Sequence, residues 1–135
     1  MRRPLTQRWL IASAFFGLSG VALGAFAAHF LKSRLEPRAF EIFEVGARYQ
    51  MYHALLLGVF GVLEHNGRQG SQRAGLTWAG VLVTCGTVVF SGSLYLLAFT
   101  GQRWLGAITP IGGVALLAGW GAFLRASLSL SSQVR

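Results

Sequence analysis

The sequence predicts an all-α integral membrane protein: a four-helix antiparallel bundle with an amphipathic interfacial helix between its first and second helices, in one domain over residues 1–135. Three observations carry this. Hydrophobic residues make up 53% of the chain and charged ones only 12%, with a mean hydropathy of +0.53, a balance suited to lipid rather than water. Four apolar runs, near residues 9–31, 49–63, 74–99 and 104–124, are separated by polar connections. The net charge is +8, but most of the Arg residues flank the apolar runs instead of forming one basic face, which points to anionic lipids and not to nucleic acid.

Arg2, Arg3 and Arg8 precede the run Trp9 to Leu31, longer than the roughly 20 residues a spanning helix needs. Ala25-Phe26-Ala27 offers a signal-peptide cleavage pattern, but the apolar run continues past it to His29 and beyond, so the segment reads as a transmembrane helix. Ser13, Gly17, Gly20, Gly24 and Ala28 recur every three or four residues, along one face where a neighbouring helix can approach closely. Residues 37–48 repeat Phe40, Phe43 and Ala47 on one face and Glu41, Glu44 and Arg48 on another, the pattern of an amphipathic helix lying at the interface. An N-terminal extension of the second spanning helix fits the same periodicity.

The second apolar stretch is short, so Tyr49, Gln50, Tyr52 and His53 are drawn into the membrane edge. Glu64 to Arg73 reads as a polar turn containing a solvated His65. In the third span Gly80, Thr84, Thr87, Ser91 and Tyr95 form a stripe that should face protein. The turn from Thr100 to Arg103 is short enough to make the third and fourth spans antiparallel neighbours. Ile108 to Gly113 interrupts the fourth span with Pro110, Gly112 and Gly113, predicting a kink or local unwinding that adapts packing. The Ser-rich tail from Arg125 is expected to fray.

Four spans place Arg2, Arg3, Arg8, Arg68, Arg73, Arg125 and Arg135 on one side, against Lys32, Arg34, Arg38, Arg48 and Arg103 on the other. The positive-inside bias thus puts both termini in the cytoplasm. Antiparallel threading then brings His29, Arg48, Tyr49, Gln50, Tyr52, His53, Ser91, Ser93, Tyr95 and Thr109 to the outer leaflet, where His29 and His53 are expected to meet. Such a cluster could bind a haem, a quinone or a lipid headgroup, or could satisfy its own hydrogen bonds. There is no Asp, Cys85 is the only cysteine, and the four Glu residues lie in or beside the connections. No nucleophile has an oriented base, two histidines make a weak metal signal, and no central acid suits a pump, so a non-enzymatic protein is expected. Its partners would be the lipid bilayer and, through the glycine ridge, further copies or a larger membrane complex.

The motifs GAFAAH (24–29), ARYQMYHALLL (47–57), FSGSLYLLAFTG (90–101) and GAITPIGG (106–113), with Gly119-Trp120, together resemble the small bacterial membrane proteins of domain of unknown function 423, whose eukaryotic relatives include transmembrane protein 256. Ala27 stands where that pattern more often has glycine. The resemblance implies an integral inner-membrane protein of several helices and assigns no activity or residue role.

Overall fold

A computed structural model describes residues 4–66 and 70–131. Arg2, Arg3, Arg68 and Arg135 of the charge argument lie outside them. The described residues form α1 (Pro4–Phe26), a π-helical turn (Ala27–Leu31), α2 (Pro37–His65), α3 (Gly70–Thr100) and α4 (Arg103–Ser131). With its π turn, α1 gives one apolar segment, Gln7–Leu31; α3 and α4 supply Gln72–Thr100 and Arg103–Ser129, and all three are long and apolar enough to cross a membrane.

Residues 37–48 are helical and run without interruption into the apolar stretch after them, so the amphipathic part is no separate interfacial helix but the first half of a 29-residue α2. Pro37 starts it, where a missing N–H costs nothing. The predicted turn at 64–73 contracts: α2 continues through Glu64 and His65, and α3 begins at Gly70 with φ of +60°, a backbone that glycine adopts without strain. Between α3 and α4 the chain reverses at Gly101, φ +65°, whose N–H caps α3 by donating to Leu97 O at 2.8 Å. No helical turn is lost at Pro110, and α4 extends to Ser131, past the expected fraying at Arg125.

Consecutive helices are antiparallel neighbours, α1 on α2, α2 on α3 and α3 on α4. Gly112 lies against the Phe90 backbone, Gly86 against Leu116 and Gly119 against Val83, which lets α3 and α4 approach at backbone distance. This register levels Trp104 with Ala98. Trp78 and Trp104, both exposed, are therefore separated by about twenty residues of helix, roughly 30 Å. That spacing matches the hydrocarbon thickness of a bilayer, whose edges favour tryptophan, and depths are counted from these two levels. One apolar cluster (Trp9, Leu57, Phe60, Ala79, Val83) fills the near end, where α1 begins. Another (Ala27, Leu31, Phe43, Ala98) fills the far end.

Candidate functional site

The α1–α2 register follows from Gly20 against Met51 and Gln50, Gly58 against Ser13, and Gly61 against Leu10. Phe43 packs with Ala98 near the far-end tryptophan level. Gln50 and His53 are thus about ten and fifteen ångströms deeper, near mid-membrane. They are not at the edge, because α2 does not begin at Tyr49.

Gln50 is buried and fully engaged. Its Nε2 donates to Phe16 O at 3.0 Å and to Ser19 Oγ at 2.8 Å, and its Oε1 accepts from Tyr95 Oη at 2.8 Å. One amide thereby ties α1, α2 and α3. Ser91 Oγ donates to Gly46 O at 2.8 Å, and the Tyr95 ring covers Gly46 so closely that a Cβ there would lie 2.9 Å from Cε1. His53, also buried, has Nδ1 2.7 Å from Tyr49 O and Nε2 3.2 Å from Trp120 Nε1. A carbonyl only accepts and an indole N–H only donates, so the proton sits on Nδ1 and the Nε2 lone pair is taken by Trp120. Thr109 Oγ1 pairs with Ser93 Oγ at 2.8 Å, joining α3 to α4.

The structure therefore brings Gln50, Ser91 and Tyr95 together, with His53 on the adjoining α4 side and Thr109 in a separate contact. Arg48, Tyr49 and Tyr52 lie on the outside. His29 is exposed in the π turn, and the register sets it opposite Ile42, about eleven residues or 16 Å from His53 along α2. The expected meeting of the two histidines is not found. Threading places residues only by leaflet, and an uninterrupted α2 separates these two in depth. Among the packing candidates, Ser13, Gly20, Gly80, Gly112 and Gly113 contact neighbouring helices, Gly80 lying under the Trp9 ring. Gly17 and Gly24 have no neighbouring-helix atom within 4 Å of where a Cβ would lie, and Ala28 is exposed.

A second polar cluster, at the near end, escaped the sequence reading. Arg8 Nη2 donates to Thr77 Oγ1 at 3.0 Å, Thr77 Oγ1 donates to Glu64 Oε1 at 3.2 Å, and Arg8 stands 3.7 Å from that same oxygen. The Glu64 side chain is only 2% exposed. Glu64 Oε2, Arg8 Nε and Trp9 Nε1 are buried without a hydrogen-bond partner among the described residues. The legible signal was spacing: Glu64 follows Leu57 and Phe60 at seven and four residues, continuing the buried face of α2. Trp120 was visible only as part of a motif, because nothing local pairs it with His53.

Among the described residues no group of three or more His, Cys, Asp or Glu side chains converges on a metal position. No solved structure matches the chain. It is 44% identical to a UPF0382 membrane protein of Staphylococcus haemolyticus over 112 residues, covering 83% of this chain and 88% of the relative. It is 42% identical to the UPF0382 membrane protein YwdK of Bacillus subtilis over 112 residues, covering 83% and 89%. With the UPF0382 inner membrane protein YgdD of Escherichia coli K12, identity is 38% over 127 residues, covering 93% and 94%. A family described as "Protein of unknown function (DUF423)" matches residues 23–113, from the last turn of α1 through the π turn and the Gln50 cluster to Gly113. With most of the chain inside that match and membrane proteins aligned to it nearly end to end, the chain belongs to the DUF423 family of membrane proteins.

Proposed function

We propose that the protein is a non-catalytic component of the bacterial inner membrane that works by helix packing, as an accessory or assembly partner of a larger membrane complex or as a homo-oligomer. The observation that carries this reading is the closed hydrogen bonding at mid-membrane. Gln50 and His53 use their donors and acceptors on Phe16, Ser19, Tyr49, Tyr95 and Trp120, which fixes the helices and leaves the His53 imidazole no lone pair aimed at a ligand. Haem or metal ligation by His53 would first have to break the Trp120 bond.

Native mass spectrometry and absorption spectroscopy of the gently solubilised protein test it. The expected result is a stoichiometric protein assembly with no chromophore. A monomer carrying a bound haem, quinone or lipid would overturn it. Both termini are assigned to the cytoplasm, so reporters fused after α4 and inserted at Gln102 should report opposite sides, the first cytoplasmic.

A further inference from the structure

The face of α2 turned away from its neighbours changes character along the membrane. It reads Glu41, Glu44, Arg48, Tyr52, Leu55, Val59 and Val62, and every one of these residues is exposed. At the same depths the outward faces of α1, α3 and α4 expose mainly large apolar side chains, Val21, Phe26 and Phe30 on α1, Leu96 on α3, Ile111 and Val114 on α4, with His29 the one imidazole among them. Arg48 lies five residues inward from Phe43, about 7 Å below the level of Trp104. An ionised guanidinium facing lipid at that depth is costly and is normally paired or turned toward protein. Among the described residues it has no ion pair within 4.0 Å, where Arg8–Glu64 is the one such pair, although Glu44 stands one turn from Arg48.

We propose that this face of α2 is an interface with a second copy of the same chain, in which Glu44 of each protomer pairs with Arg48 of the other. This rests on the assembly reading above and names its partner. Two features of the stripe select a copy over another occupant. A two-fold axis along the membrane normal sets two parallel α2 helices side by side with each residue level with its own copy, so each Glu44 reaches one turn, about 6 Å, to Arg48 of the other protomer and the pair forms twice. Below them Tyr52, Leu55, Val59 and Val62 follow at intervals of three, four and three, a seam one helix wide that suits a parallel partner helix. The pairing would shield Arg48 from lipid, and the apolar seam would continue the contact to the near end.

Disulfide trapping in native membranes tests it, in a Cys85→Ala background because Cys85 is itself exposed. Leu55→Cys lies on the seam; Val114→Cys lies at similar depth on the outer face of α4 and is as exposed. Leu55→Cys should give the covalent dimer and Val114→Cys should not. In the Leu55→Cys chain, Glu44→Arg or Arg48→Glu alone should lower trapping about tenfold, and the exchanged pair Glu44→Arg with Arg48→Glu should restore it. Equal trapping at the two cysteine positions, or an exchanged pair no better than the single changes, overturns the proposal. Native mass spectrometry of the same samples identifies what α2 holds. A different protein held on α2 refutes the second copy while leaving the assembly reading standing, and a ligand-bearing monomer refutes both.

Discussion

The two polar clusters solve opposite problems. At mid-membrane the groups are neutral, and Gln50, Tyr95, Ser91, His53 and Trp120 bond one another or the backbone. At the near end the groups are charged, with Arg8 a third exposed, Glu64 sealed in, and Thr77 between them. Depth accounts for the difference. A neutral amide or imidazole can be satisfied by a few fixed partners anywhere in the bilayer, whereas a carboxylate needs a cation, and a cation needs an edge where its remaining donors reach water or headgroups. The near-end cluster should therefore be the more fragile when one member is removed, and the central one the more cooperative.

The largest effect is expected for Arg8→Ala, which leaves the buried Glu64 without its cation. Breaking a buried pair costs about 3–5 kcal/mol, and exposure of Arg8 reduces this to roughly 2–3 kcal/mol. Thermal unfolding in detergent should show the loss, and adding Glu64→Leu should recover most of it. No recovery would mean that the cluster is not an electrostatic unit.

Next comes Gln50→Leu, which removes three hydrogen bonds and strands the Tyr95 hydroxyl, for a cost of about 1–3 kcal/mol. Tyr95→Phe should be milder alone and nearly silent on top of Gln50→Leu, because the two share a bond. Additive losses in that double variant would break the picture of one central network.

Gly20→Leu places a branched side chain where a Cβ already meets Met51 Cε at 3.3 Å and Gln50 Nε2 at 3.5 Å, at a cost of about 1–3 kcal/mol for overpacking. Gly24→Leu, with nothing within 4 Å, should leave stability close to wild type. Equal losses in the two would place α1 differently against the central cluster. The smallest effect is expected for Trp120→Phe, which removes one donor from His53 and should cost about 1 kcal/mol.

Much of this was legible from local chemistry. Helices, spans and the tight turn at Gly101 follow from hydropathy, length and one glycine, because a bilayer leaves a chain no way but a helix to satisfy each backbone group within its own segment. The stripe from Gly80 to Tyr95 was readable because period and residue size together mark a face. Glu64 was missed because a carboxylate beside an Asn-Gly pair looks solvated until the helix is known to run past it. His29 and His53 were brought to one leaflet, when a continuous α2 puts them about 16 Å apart in depth.

By itself, then, the sequence determined an α-helical membrane protein of the DUF423 kind and the approximate bounds of its three helices long and apolar enough to cross a membrane. Only the tertiary structure decided that Gln50 bridges three helices, that Trp120 holds the His53 lone pair, and that Arg8 neutralises Glu64 across 56 positions of chain. Periodicity fixes which face a residue occupies within its own helix. Which partner that face meets, and at what depth, depends on the register between helices, and that is set by side-chain contacts distant in sequence, such as Gly112 against Phe90 and Gly20 against Met51.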